Sequence, residues 1–303
     1  MAIDYNIFYE NFASDKLLSN TLMSEYTSFK VGGAADLIIM PTNAEEVKKA
    51  INICNDKSFP YFIMGKGSNL LVGDAGYRGI IICMSKNLEK VKLVNDCEIK
   101  AEAGITLSKL AGFAMEYSLA GLEFASGIPG SLGGALYMNA GAYDSEMKDV
   151  VLSAELIDNK GNELIMQSNE MELGYRSSVF QKNNYIITNV TLKLLKGDKE
   201  QIKDKMSDLN GRRKEKQPLD LPSAGSTFKR PPNHFASKLI DEAGLKGFAV
   251  GGAKVSEKHA GFIVNYNNAT ASDIITLMEH VKVTVYEKFG VTLIPEVEII
   301  GDF

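Results

Sequence analysis

Directly after the apolar run Tyr61–Met64 the chain reads Gly65-Lys66-Gly67-Ser68-Asn69-Leu70. Glycines at such a turn let backbone N–H groups approach an anion with no Cβ in the way, and Ser68 and Asn69 add donors. The placement after a strand suits a diphosphate. The loop lacks the third glycine of the dinucleotide fingerprint GxGxxG, and it is not a phosphate loop ending in Gly-Lys-Ser/Thr. A plain tight turn is the alternative. A second glycine-rich stretch runs Gly127-Ile128-Pro129-Gly130-Ser131-Leu132-Gly133-Gly134-Ala135 and on through Asn139 to Tyr143. Ser131 reads as the cap of a helix whose first turn is a ready anion site, through unpaired N–H groups and the helix dipole. Glycine inside a helix costs about 1 kcal/mol relative to alanine. The adjacent Gly133 and Gly134 therefore need a reason, either a flat ligand or a close backbone. Two such loops point to a large phosphate-bearing cofactor.

Three further sites carry polar chemistry. In Gly174-Tyr175-Arg176-Ser-Ser-Val-Phe180, an arginine flanked by an aromatic and hydroxyls suits a two-pronged grip on a carboxylate; a surface salt bridge is the plainer meaning. Residues 196–216 hold eight Lys/Arg against five Asp/Glu, a local basic excess that either receives an anionic substrate or is a solvated helix face. Gln217 and then Pro222-Ser-Ala-Gly225-Ser226-Thr-Phe228-Lys229-Arg230 follow it. Ser226 has no nucleophile-elbow pattern and no neighbouring histidine, so acyl transfer is not indicated. Glu296 opens the terminal strand and means little without a partner. The histidines (His234, His259, His280) and cysteines (Cys54, Cys83, Cys97) show no metal-ligand spacing, so no metal is expected. An odd cysteine count without a CxxC pair fits a reducing compartment.

The elements that must hold these residues can be read from periodicity. Residues 5–18 read as an amphipathic helix. Asp36–Met40 is a short apolar run, and Thr42-Asn-Ala-Glu45 reads as a capping box opening a helix through Val47, Ala50, Ile51 and Cys54. Tyr61–Met64 and Gly79–Met84 read as buried strands, and Lys90–Val94 with Cys97–Ala103 as a pair about Asn95-Asp96. A helix over 106–118 follows. Strands return at Val150–Asp158, Glu163–Gln167 and Tyr185–Leu195, then helices at 198–216, 234–243 and 272–289. The last places Ile274, Met278, Val281, Val285 and Phe289 on one face and stops at Gly290. Val297–Ile300 closes as a strand. A boundary near Gly197 divides an N-terminal domain, 1–196, with lobes 1–85 and 86–196, from a C-terminal domain, 197–303.

The 303 residues carry 33 Lys+Arg against 38 Asp+Glu, and this net charge of −5 argues against nucleic acid as a partner. With 45% hydrophobic residues the chain has enough apolar content for about two globular domains. The N-terminus lacks a basic region followed by an apolar core, so no signal peptide is read. The longest clean apolar run, Ile80–Met84, is far short of the ~20 residues of a membrane span. A cytoplasmic location is the expectation, with no membrane partner.

Together these segments resemble the UDP-N-acetylenolpyruvoylglucosamine reductase (MurB) family. The matching stretches are YTSFKVGG (26–33), GKGSNLLV (65–72), GIPGSLGGALYMNAGAY (127–143), GYRSSVF (174–180), PSAGSTFKRP (222–231), HAGFIVN (259–265) and PEV (295–297), in the family's order. The resemblance implies an α+β fold: a two-lobed FAD-binding domain of the vanillyl-alcohol-oxidase type, plus a smaller C-terminal α+β domain for substrate. It implies non-covalent FAD, NADPH as hydride donor and UDP-N-acetylglucosamine enolpyruvate as the small-molecule substrate, in peptidoglycan precursor synthesis by a monomer.

Residue roles follow by the same resemblance. Gly65, Lys66, Gly67, Ser68, Asn69 and Leu70, with Gly127, Ile128, Pro129, Gly130, Ser131, Gly133, Gly134, Ala135 and Asn139, would contact FAD. Arg176, Ser226 and Glu296 would be the catalytic trio. Tyr175, Gln217, Lys229 and Arg230 would contact substrate, Arg230 as a cation toward its diphosphate where longer members carry Asn. Only 50 positions separate Arg176 from Ser226 and 70 separate Ser226 from Glu296, which matches the shorter class without the tyrosine-bearing insertion. Two other readings stand beside this one. A flavin oxidase of the same fold would consume oxygen without any enol ether, and a flavin-less nucleotide-sugar binding protein would be colourless.

Overall fold

The computed structural model describes residues 5–303, so the first four residues of the N-terminal segment read for a leader lie outside it. The chain forms two compact units, neither of them one continuous stretch. The first takes residues up to Ser19, Leu37–Lys66 and Gly79–Arg213; the second takes Asn20–Asp36, Gly67–Arg78 and Lys214–Phe303. These are interleaved segments rather than the two consecutive ones, 1–196 and 197–303, expected from the sequence.

The first unit holds two apolar cores. One surrounds Phe8, Leu37, Ile39, Val47, Ile51, Ile80 and Ile82. Its strands belong to a four-stranded sheet in the order Leu17–Leu22, Ala34–Ile39, Tyr77–Cys83, Tyr61–Met64. The last two run parallel with Tyr61 opposite Ile80, and both are near-continuous apolar runs, as buried parallel strands require. The helix Ala44–Lys57 buries Val47, Ala50, Ile51 and Cys54, the stripe its spacing dictates. Its cap lies one residue later than expected. Asn43, not Thr42, accepts the N–H of Glu46, and Glu46 rather than Glu45 reaches back to the Thr42 N–H at 2.9 Å. Glu46 also meets Lys16 at 2.5 Å, a partner that Glu45 does not have.

The second core of this unit lies beneath a five-stranded antiparallel sheet in the order Glu163–Gln167, Val151–Ile157, Ile186–Lys193, Glu98–Glu102, Val91–Asn95. The helices Leu107–Glu116 and Leu132–Tyr137 supply Leu107, Leu110, Leu132 and Leu136 to it. The N-terminal helix is shorter than its periodicity implies. It spans Asn6–Asn11, and from Leu17 the chain is strand. The Met40 N–H donates to the Lys16 carbonyl at 2.9 Å, so sheet pairing claims the segment that would have been the helix's last turn.

The second unit packs the helix Ala271–Phe289 on the strands Ala249–Val250, Ala253–Val255 and Ile263–Asn265. Ile274, Leu277, Met278, Val281 and Val285 are buried along it, each contributing about 1.5–3 kcal/mol by burial. Phe289, expected on that face, is 38% exposed because it is the last helical residue before the left-handed Gly290. The strand Glu298–Ile300 pairs in parallel with Leu70–Val72, and Phe29, Val31 and Leu71 complete this core. Among the described residues no helix is long and apolar enough to cross a membrane.

Candidate active site

The first glycine loop runs out of the strand Tyr61–Met64. A Cβ on Gly65 would strike the Ser131 hydroxyl, and the Gly65 carbonyl accepts from Ser85 Oγ at 2.9 Å. Gly65 thus brings the two glycine-rich stretches together within the first unit. The chain passes to the second unit after Lys66. There Gly67 sits at φ 64°, open only to glycine at low cost, and a Cβ on it would lie 2.1 Å from the Tyr26 carbonyl oxygen. Asn69 faces the end of the chain. Its Nδ2 donates to the Glu296 carbonyl at 3.0 Å, and its own carbonyl accepts the Glu298 N–H at 3.0 Å.

The second stretch departs from expectation at its helix. Ser131 is the N-cap residue of Leu132–Tyr137, but its side chain makes no capping bond. The first N–H groups are also not open to an anion: Leu132 donates to the Ile105 carbonyl at 2.9 Å and Gly133 to the Ala103 carbonyl at 2.8 Å. Strand-like pairing of 130–133 with 103–107, including a Thr106–Ser131 bridge, has used them. Gly133 has the packing reason for being glycine, since a Cβ would lie 2.8 Å from Ala103 Cβ. Gly134 has the other reason. It is exposed, with only Ser131 Oγ near a Cβ, at 3.4 Å, so room remains above it.

Positive charge reaches this stretch from the helix Lys199–Lys216. Arg213 is 8% exposed and donates through Nη1 to the Gly127 carbonyl at 2.8 Å, while Asn210 lies where a Gly127 Cβ would be. Tyr143 supports it with a hydrogen bond and spans to the Leu209 carbonyl at 3.0 Å. Burial pulls the guanidinium below its ordinary value, and Arg213 Nε has no hydrogen-bond partner. No carboxylate pairs with this cation among the described ion pairs. Buried charges ordinarily require a counter-charge. An uncompensated cation beside a glycine-rich stretch with open room at Gly134 fits an anionic dinucleotide such as FAD.

Asn139, expected among the flavin contacts, is fully buried and committed to backbone. Its Nδ2 donates to the Gly174 carbonyl at 3.0 Å and its Oδ1 accepts the Lys148 N–H at 2.9 Å. It therefore braces the turn that bears Arg176. That turn closes through Gly174 N–H to the Ser177 carbonyl, 3.1 Å, and the reverse bond, 3.3 Å. Arg176 sits at φ 51°, a left-handed conformation that costs a non-glycine residue about 1–2 kcal/mol. Its guanidinium carbon is 5.4 Å from the centre of the exposed Tyr175 ring.

In the second unit Ser226 and Glu296 lie on neighbouring backbone segments. The Glu296 N–H donates to the Thr227 carbonyl at 2.8 Å, Lys229 N–H to the Ile294 carbonyl at 2.8 Å, and Phe228 bridges Pro295. Thr227 is fully buried, held by the Gly261 carbonyl and the Ile263 N–H. Gly261 in turn donates to His259 Nδ1 at 3.1 Å, and burial keeps that imidazole below its ordinary value, in the neutral acceptor form. Half-buried Gln217 and Lys229 and exposed Arg230 follow the same segment, Arg230 stacked 3.9 Å above the Phe235 ring. The bracing roles of Gln181, Asn210 and Arg213 carry no local signal, because each reaches a residue far away in the chain: Tyr137, Ser126 and Gly127.

Residues 35–166 match the FAD binding domain model. The alkyldihydroxyacetonephosphate synthase structure shares this fold at TM-score 0.50 and 17% identity, over 64% of this chain and 41% of that one. The chain thus carries an FAD-binding domain within an α+β fold. Residues 217–300 match the model of the UDP-N-acetylenolpyruvoylglucosamine reductase C-terminal domain. A UDP-N-acetylenolpyruvoylglucosamine reductase of Caldanaerobacter subterraneus subsp. tengcongensis is 51% identical, over 95% of this chain and 94% of its own length. The crystal structure of the Thermus caldophilus enzyme (MurB) superposes at TM-score 0.79 with 35% identity, covering 92% of this chain and 97% of that one. The chain belongs to the UDP-N-acetylenolpyruvoylglucosamine reductase family.

Proposed function

We propose that this chain reduces the enolpyruvyl ether of UDP-N-acetylglucosamine enolpyruvate to UDP-N-acetylmuramate, with NADPH as hydride donor and non-covalent FAD, as a cytoplasmic monomer in peptidoglycan precursor synthesis. The observation that carries the reading is the backbone pairing that sets Ser226 beside Glu296, in a chain that matches the family along nearly its whole length. FAD, when bound, supplies the two-electron carrier; the glycine-rich stretches 65–70 and 127–135 would hold it, and the segment from Gln217 to Arg230 would hold the sugar nucleotide.

The side chains handle charge and protons. As the terminal enol carbon accepts hydride, negative charge builds toward the substrate carboxylate. Arg176, with its planar fork, holds that carboxylate, and Glu296 orients the same group or gives it a proton. Ser226 protonates the adjacent carbon. A hydroxyl is a weak acid, but a carbanionic centre is a strong base, so no pKa near 7 is required of it. Gln217, Lys229 and Arg230 meet the nucleotide, the cations facing its diphosphate, and Tyr175 flanks the sugar.

An anaerobic two-step titration tests this. NADPH should bleach the flavin spectrum, and the enolpyruvyl substrate should restore it stoichiometrically. Restoration by oxygen alone would instead make the chain an oxidase. In Ser226→Ala, bleaching by NADPH should stay near wild type while reoxidation by substrate slows at least ~10²-fold, the size of losing one transition-state donor. Equal slowing of both steps overturns the role of Ser226.

A further inference from the structure

We propose that Gln181, together with Asn139, holds Arg176 in the backbone conformation from which it meets the substrate carboxylate, so that both are positioning residues of the reaction. The inference rests on the reading of Arg176 above. Arg176 is half-buried on a four-residue turn whose neighbour Tyr175 is 54% exposed, so no core packing dictates its shape. Even so, its φ of 51° is one that glycine would adopt more readily than arginine. Something outside the turn must over-determine it.

Three side chains do this, and all reach the same place. Gln181 Nε2 lies 3.3 Å from the Arg176 carbonyl and 2.9 Å from the Tyr137 carbonyl. Ser178 Oγ donates to that Tyr137 carbonyl at 2.6 Å. Asn139 Nδ2 donates to the Gly174 carbonyl at 3.0 Å, and its far end is fixed by the Lys148 N–H. The two ends of the turn are therefore tied to residues 137–139, which leave the helix of the second glycine-rich stretch. Helix end and arginine turn form one hydrogen-bonded body. A guanidinium carried on it keeps its place relative to Gly133 and Gly134, where a loosely hinged arginine would sample many poses. If the turn relaxes, only the fraction of molecules still in the strained conformation is competent to receive the carboxylate.

The test uses the FAD-loaded enzyme and separates the two half-reactions by anaerobic stopped flow, with NADPH and then UDP-N-acetylglucosamine enolpyruvate. Gln181→Met keeps the length and loses the donor. It should reduce at a rate within about twofold of wild type and reoxidise about ten- to a hundredfold more slowly, the size of a small misplacement of a reacting group. Gln181→Glu adds a readout that loose packing would not move. Its carboxylate repels both carbonyls, whereas its protonated form donates to one. Its deficit relative to wild type should shrink as the pH falls toward 5, while that of Gln181→Met stays level. Asn139→Ala leaves a hole in a buried site at positive φ; if it fails to fold, the Gln181 variants decide alone. Wild-type reoxidation in Gln181→Met overturns the proposal, as does equal slowing of both half-reactions. Arg176→Ala is the control. Slow reoxidation in it alongside a normal Gln181→Met rejects the positioning role and keeps the reductase reading; normal reoxidation in Arg176→Ala removes the role of Arg176, and the proposal with it.

Discussion

Arg213 concentrates the electrostatic problem of the first unit in one side chain. It is 92% buried, bonded to a carbonyl and a phenol, and unmatched by a described carboxylate. Without an anionic ligand such a cation contributes little to folding, because desolvation offsets what its hydrogen bonds return. The expected outcome of Arg213→Met is therefore asymmetric. The flavin-free protein should melt within a few degrees of wild type, while FAD binding weakens at least tenfold. Calorimetry of the apoprotein and fluorescence titration with FAD would check the two halves. A large loss of apoprotein stability with unchanged FAD affinity would make Arg213 a purely structural brace of Gly127.

The elements show where local chemistry suffices and where it does not. Strands with strong apolar patterning, such as Tyr61–Met64 and Val151–Ile157, and helices with a full stripe, such as Ala271–Phe289, were legible because their periodicity is local. A serine before a short helix reads as a cap, but Ser131 makes no capping bond because pairing of 130–133 with 103–107 takes the first donors. That Ser226 and Glu296 lie on neighbouring backbone segments has no local signal: 70 positions separate them, and the Glu296 N–H to the Thr227 carbonyl joins the segments. The helix Ala271–Phe289 also carries a cap that no local motif displays. Besides the Thr270/Asp273 box, Asp74 accepts the N–H groups of Ala271 and Ser272 at 2.7 and 2.9 Å and the Ser272 hydroxyl at 2.7 Å. Partial burial alone would raise the Asp74 carboxyl, but these hydrogen bonds outweigh it and hold the group below its ordinary value. A carboxyl depressed in the folded state stabilises above its unfolded pKa of about 3.9. That contribution is lost as the pH falls through the folded value. Asp74→Ala should cost about 1 kcal/mol at pH 7, measured by urea unfolding, and the gap to wild type should narrow below about pH 4. A gap that persists unchanged in acid would show that the carboxylate's charge is not its source.

For the molecule as a whole, the interleaving of segments matters more than the division near Gly197 that composition implied. The second unit's core includes Phe29, Val31 and Leu71, its terminal strand pairs with Leu70–Val72, and buried Asn265 donates to the Phe29 carbonyl at 3.1 Å. A fragment of residues 214–303 lacks every one of these partners. It should show no cooperative thermal transition and little dispersion of its amide resonances; a sigmoidal melt would mean that the C-terminal segment is self-sufficient. Composition could not reveal this, because the borrowed residues lie within stretches that look like ordinary strand and turn of the N-terminal domain.

The same threading sets an order for a chain emerging from the ribosome. Everything the first unit needs has been made once Arg213 appears. Phe29, Val31 and Leu71 are made early, yet their packing partners lie between Ala224 and Val297. At roughly 5–20 residues per second the nascent chain carries these apolar side chains without their native neighbours for on the order of 10–45 s. That interval is when a chaperone's grip would count most, and a slowed or truncated translation product would leave two early segments with nowhere to go.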